Sequence, residues 1–156
     1  MGVTGAGKTT IGTMLAAQLN WQFVDADSFH PPANIEKMSR GIPLNDADRT
    51  PWLAAMRKAI LEWIVAGKNV VLSCSALKRA YRDMLRPRPE AKIVYLKGDY
   101  ALFAERIRHR HGHFAGEGIL AGQFADLEEP DDAITIDAAK SPGEIVAEIR
   151  QRLALS

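Results

Sequence analysis

The stretch that most limits what this chain can fold into is Gly2-Val3-Thr4-Gly5-Ala6-Gly7-Lys8-Thr9-Thr10, which meets the pattern G-x-x-x-x-G-K-[ST] from Gly2 to Thr9. By accident such a match arises in about one chain in a few hundred of this length. Glycine tolerates left-handed backbone and lets the main chain approach an anion, so successive N–H groups can turn toward phosphate oxygens. Lys8 adds a mobile point charge for the outer phosphates, and the Thr9 hydroxyl is placed to ligate magnesium. Beyond Thr10, the apolar residues Ile11, Leu15, Ala16 and Leu19 recur at helical spacing. The positive end of that helix dipole would lie under the same phosphates. A loop of this kind follows a buried parallel strand. Only Met1 stands before Gly2, so that strand is expected upstream of these residues.

A chain of 156 residues, 47% hydrophobic and 25% charged, fits one soluble domain. Its formal net charge of +1 argues against a nucleic-acid partner and a membrane surface, since both call for a basic excess. The single Cys74 excludes an internal disulfide and is expected to be a buried thiol in a reducing compartment. Without an apolar run long enough to span a bilayer or a leader pattern, the expected location is cytoplasmic.

Along the chain, residues 21–27 read as a short strand ending in Asp25 and Asp27, whose alternate positions would point them the same way. A short polar helix is expected from Asn34 to Arg40. A long one follows the cap-rich Asn45-Asp46-Ala47-Asp48, with Leu53, Met56, Ile60 and Ile64 on its apolar face. Residues 69–75 and 91–96 carry Val70-Val71-Leu72 and Ile93-Val94-Tyr95, runs typical of strands buried on both faces. Between them a basic helix is expected from Ala76, ending before Pro87. Asp99 caps a helix to about Arg110, Ile119 to Leu127 forms an amphipathic stretch, and residues 133–136 read as a strand. Ser141-Pro142-Gly143-Glu144 opens the last helix. This alternation specifies an α/β fold, a parallel sheet with helices on both faces. With the strand before Gly2 the sheet would have about five strands, and ligands would sit beyond their carboxyl ends.

Phosphate loops serve hydrolases, switches and kinases, so the rest of the chain must decide. There is no Asn-Lys-x-Asp for guanine, and Val70-Val71-Leu72 runs into Ser73-Cys74-Ser75 rather than the Asp or Asp-Glu that would orient an attacking water. Transfer to an acceptor other than water is the more natural use. Asp27 is the candidate to accept or orient the acceptor's hydroxyl proton, with Asp25 beside it near magnesium (Mg2+). The simpler alternative is that both carboxylates only terminate the strand and cap the next turn of chain. Two carboxylates beside three phosphates would repel without a cation, so magnesium is implied.

Several further stretches act together: Phe23-Val24-Asp25-Ala26-Asp27-Ser28-Phe29-His30-Pro31, Asn34-Ile35-Glu36-Lys37-Met38, Gly41 to Arg49 with Pro51-Trp52-Leu53, Cys74-Ser75-Ala76-Leu77-Lys78 with Tyr81-Arg82-Asp83, and Gly112-His113-Phe114 with Gln123-Phe124. With the phosphate loop, they resemble the gluconokinases over nearly the whole chain. The resemblance implies the three-layer P-loop fold of shikimate and adenylate kinases, as one kinase domain over 1–156. Within it, an acceptor-binding segment would span about 28–66 and a lid about 110–130. It also implies the reaction of D-gluconate with ATP to give 6-phosphogluconate and ADP.

Gluconate is an open-chain polyol with a carboxylate, so its site needs a cation at one end and hydrogen-bond partners along the chain. Arg49 and Lys78 are the candidate cations, with plain surface charge as the alternative. His30 and Asn34 are candidate hydroxyl partners, and His113 is a candidate substrate-binding residue of the lid, where polar side chains would close on phosphate. Arg106 and Arg110, one helical turn apart, are candidates to fold over the nucleotide and stabilise charge moving between phosphates. Trp52 and Trp63 are expected as core or interface anchors, and a homodimer is compatible with that. Two rival readings stay open at this point: a shikimate-kinase-like enzyme for another small hydroxy acid, and a nucleotide-binding regulatory module without catalysis.

Overall fold

The computed structural model of the chain describes residues 1–111 and 116–156. The glycine-rich loop runs into helix α1 (Lys8–Leu19), followed by strand β1 (Gln22–Asp25) and a single 3-10 turn (Ala26–Phe29). Helices α2 (Pro32–Ser39) and α3 (Asp46–Val65) lead to β2 (Val70–Ser73), α4 (Arg79–Leu85) and β3 (Val94–Lys97). The chain then forms α5 (Tyr100–His111), α6 (Glu117–Asp126), β4 (Ile134–Asp137) and α7 (Pro142–Arg152).

Local chemistry sets most of these limits. Asn20 ends α1 in left-handed conformation at φ 56°, its N–H donating to the carbonyls of Ala16 and Ala17. Asn45 and Asp48 close a reciprocal capping box on α3, and the Ser141 hydroxyl accepts the Glu144 N–H at the start of α7. Asp99 caps α5 by accepting the N–H of Leu102. The basic helix expected from Ala76 begins three residues later. Ala76 stands at φ 48°, outside the right-handed helical region, and the carbonyls of Ala76 and Leu77 are taken by the Arg82 guanidinium.

All strand pairing is parallel. β1 pairs with β2 in the register Phe23 to Val71 and Val24 to Leu72, and β3 pairs with β4 with Leu96 opposite Ile136. Alternation along β2 sends successive side chains to opposite faces. Val71 joins the core built from α1, α5 and α7, with Ile11, Leu15, Phe103, Val146 and Ile149. Leu72 joins the core under α3 and α4, with Trp52, Met56, Ile60, Tyr81 and Leu85. Helices therefore cover both faces, as the α/β alternation requires.

Met1 and Gly2 link the two strand pairs. The Leu96 N–H donates to the Met1 carbonyl at 3.0 Å, the Met1 amine donates to the Val94 carbonyl, and the Gly2 N–H donates to the Ser75 carbonyl at 3.2 Å. These are strand-like bonds to either side. The rest of the interval between β2 and β3 is a cavity of about 470 Å³, lined by Val70, Val71 and Leu72 on one flank and Ile93, Val94 and Leu96 on the other. The fifth strand expected before Gly2 would lie there; the described residues form four. Burial pushes the Met1 amine down to about 5, since a charged group there loses its water without gaining a partner charge.

Extending the chain ahead of Met1 by five apolar, β-branched residues should convert this amine to an amide and pair both flanking edges. The expected result is a melting temperature higher by at least about 4 °C. An unchanged value would show that the interval does not admit a strand.

Candidate active site

The phosphate loop owes its shape to two glycines. Gly7 is the cap of α1 at φ 96°, and Gly5 lies at φ 84° with its backbone so near α5 that a Cβ would stand 3.2 Å from the Phe103 carbonyl. Val3 and Ala6 point the other way, into the core, at 2% and 1% exposure. The loop is thus pinned by its apolar members and by the N–H groups of Gly2, Thr4 and Ala6, which donate to the Ser75 carbonyl, Gln123 Oε1 and the Val3 carbonyl. The Lys8 ammonium donates to the Val3 carbonyl at 3.0 Å. Burial holds its pKa below the ordinary lysine value, and Cys74, Asp27 and Asp25 pull in the opposite direction. Cys74 itself is a buried thiol pushed up to about 11.

A cavity of about 350 Å³ opens against this loop. Thr4, Gly5, Gly7, Lys8, Thr9 and Thr10 form one wall. Asp25, Asp27, His30, Arg49, Trp52 and Tyr81 line it as well, and Arg110, Gln123 and Asp126 add a third side. The glycine-rich loop, carboxylates and the two guanidiniums of Arg49 and Arg110 therefore share one space. β1 ends at Asp25, so strand alternation is not what brings the two carboxylates together. Asp25 Oδ1 accepts the Asp27 N–H at 2.9 Å and caps the 3-10 turn, which carries Asp27 round to the same cavity with its side chain 82% exposed.

His30 is stacked on Trp52 with ring centroids 4.6 Å apart, and its Nε2 lies 3.9 Å from Asp27 Oδ1. Burial holds its pKa below the ordinary histidine value. Trp52, expected as an anchor, is buried and forms cavity wall too, its indole N–H donating to the Ala26 carbonyl at 2.8 Å. Trp63 packs edge-on to Phe29. The Arg49 guanidinium donates to the Tyr81 hydroxyl at 3.2 Å.

Other candidate residues stand outside the cavity. Asn34 is buried, and its amide donates to the Asp48 carbonyl at 2.8 Å and meets His30 Nδ1 at 3.2 Å, so it supports His30 from behind rather than facing a ligand. Arg106 does not share the exposed position of Arg110. It donates to the carbonyls of Gly5 and Ala138, bracing the phosphate loop against the turn after β4. Lys78 lies at the rim, its ammonium 3.1 Å from Asp46 Oδ1. His113 lies outside the described residues. Three contributors were not singled out from the sequence: Asp46, Tyr81 and Gln123. Gln123 Oε1 accepts the Thr4 N–H at 2.6 Å, which joins α6 to the phosphate loop.

A model of the shikimate kinase family matches residues 4–154 of the chain. The gluconokinase of Gluconobacter oxydans is 44% identical over 153 residues, covering 96% of this chain and 86% of that protein. The thermosensitive gluconokinase of Escherichia coli is 40% identical over 156 residues, covering 97% and 83%. The crystal structure of a gluconokinase from Sinorhizobium meliloti superimposes with a TM-score of 0.83 at 40% identity, covering 99% of this chain and 93% of that one. The chain belongs to the gluconokinase family. It is therefore an ATP-dependent kinase. Among the described residues of this gluconokinase-family chain, no helix is long and apolar enough to cross a membrane.

The loop between β2 and α4 depends on one buried cation. Arg82 is 5% exposed and donates to the carbonyls of Ala76 and Leu77 at 2.9 Å and of Glu128 at 2.7 Å. Arg82→Leu would leave these acceptors without their donor, and urea unfolding should show a loss of about 3 kcal/mol. A loss below about 0.5 kcal/mol would mean that other contacts hold the loop.

Proposed function

We propose that this chain transfers the γ-phosphoryl group of ATP to the 6-hydroxyl of D-gluconate, giving 6-phosphogluconate and ADP. The observation that carries the reading is the single cavity in which the phosphate loop meets Asp27, His30 and Arg49. The names of the relatives support the choice of acid.

In this reading the loop from Gly2 to Thr10 cradles the nucleotide phosphates, through the N–H groups of its exposed members and the Lys8 ammonium. Arg110 faces the same space and adds positive charge where negative charge shifts between donor and acceptor. Asp27 takes the proton of the 6-hydroxyl as its oxygen bonds to the γ-phosphorus. The bond from that phosphorus to the bridging oxygen breaks, and its electron pair leaves with ADP. Arg49, with Lys78 adding charge at the rim, holds the carboxylate, and His30 meets a hydroxyl.

The oxygen donors of Thr9 and Asp25 suit a hard divalent cation, and both border the cavity. Among the described residues no group of three His, Cys, Asp or Glu side chains could hold a metal by itself. That fits an ion bound chiefly through substrate phosphates. Magnesium, when bound there, neutralises phosphate charge, and Thr9 with Asp25 would hold it. A cytoplasmic setting fits the use of ATP.

The test is ADP release measured with gluconate, shikimate, neutral sugars and no acceptor. Gluconate should raise turnover far above the acceptor-free rate while shikimate does not; equal rates with and without acceptor would overturn the kinase reading for this acid. Asp27→Asn should lower kcat by about 100-fold or more while the KM for ATP stays within a factor of about three. An unchanged kcat would remove Asp27 from the proton transfer.

A further inference from the structure

We infer that Tyr81 is a positioning residue for Arg49 and that Lys78 acts chiefly by neutralising Asp46, so that the net positive charge of the cluster falls on the guanidinium facing the acceptor. This rests on the reading that Arg49 binds the acceptor carboxylate.

Asp46 and Arg49 share the first turn of α3, three residues apart, where an aspartate and an arginine readily pair with each other. A direct fork between them would use up the donors needed for a substrate acid. The geometry avoids that. Asp46 Oδ1 lies 3.7 Å from Arg49 Nη1, too far for a hydrogen bond, and the Tyr81 hydroxyl from α4 bridges the two from the side. It accepts from Arg49 Nη1 at 3.2 Å and donates to Asp46 Oδ1. One corner of the guanidinium is fixed through a neutral group, and its other N–H donors remain for the cavity that Arg49 and Tyr81 line.

Lys78 completes the arrangement. Its ammonium donates to both oxygens of Asp46, at 3.1 and 3.4 Å, from outside the cavity. The Asp46 carboxyl is held below its usual range by the Tyr81 hydrogen bond first and by Lys78 second, and Asp46 raises Lys78 in return. Two cations and one carboxylate leave one positive charge. With Lys78 on Asp46, that charge is carried where Arg49 meets the acceptor.

The test is steady-state kinetics of the full chain with gluconate and ATP varied in turn. Tyr81→Phe keeps the buried ring and should raise the gluconate KM about tenfold, the loss of one charge-assisted contact, with kcat within about twofold and the ATP KM unchanged. Lys78→Met should also raise the gluconate KM, because Asp46 then turns on Arg49, and adding Asp46→Asn to that variant should restore it. An unchanged gluconate KM in Tyr81→Phe, or no rescue in the double variant, overturns the inference. Arg49→Ala separates the two levels. If it leaves the gluconate KM unchanged, the assignment of Arg49 to the carboxylate falls, and this inference falls with it.

Discussion

A glycine-rich loop at the head of a helix must bend its backbone through left-handed conformations and still be held in one place, and the loop from Gly2 to Gly7 does this by splitting its residues between two environments. Val3 and Ala6 are packed in the core under α1 and α5, while Gly5 and Gly7 turn the chain through left-handed backbone toward the cavity. Everything else in the active site is measured from this loop. Arg106 braces it from below through the Gly5 carbonyl, and Gln123 takes up the Thr4 N–H from the side of α6. A loop held so tightly acts as a fixed wall, against which the rest of the cavity is positioned.

The wall of the cavity that faces the loop is assembled from elements far apart in sequence. The 3-10 turn after β1 carries Asp27, the first turn of α3 carries Arg49 and Asp46, and α4 carries Tyr81. Two supports hold them together. Trp52 ties α3 to the 3-10 turn through the Ala26 carbonyl and forms the floor on which His30 stacks. Arg82 ties α4 to the loop after β2 and to Glu128. Both supports bury a polar group with its hydrogen bonds satisfied, which makes the geometry specific as well as stable.

Much of the frame around the loop was legible from residue order. The spacing of Gly2, Gly7, Lys8 and Thr9 announces a phosphate site because few other ligands demand both backbone freedom and a lysine there. The strand runs at Val70 and Val94, the caps at Asn45, Asp99 and Ser141, and the parallel α/β alternation all appear in the structure. Which polar side chains line the cavity was legible only in part. Arg106 and Arg110 lie one turn apart on the same helix, yet neighbouring carbonyls take the first and leave the second exposed. Asn34 carries the chemistry of a hydroxyl partner but is spent on Asp48 and His30.

Sequence alone therefore determined the parallel α/β frame, the glycine-rich loop before its first helix and the carboxylates at the end of the first observed strand. These features obey local rules, since caps, periodicity and glycine conformations act over a few residues. Tertiary structure decided which polar side chains remain available. Lys78 and Arg49 look equivalent as residues, but the fold sets Lys78 on Asp46 and turns Arg49 to the cavity through Tyr81, whose helix lies 32 residues further along the chain. Which partner a polar side chain finds depends on residues distant in sequence, and only the three-dimensional arrangement records it.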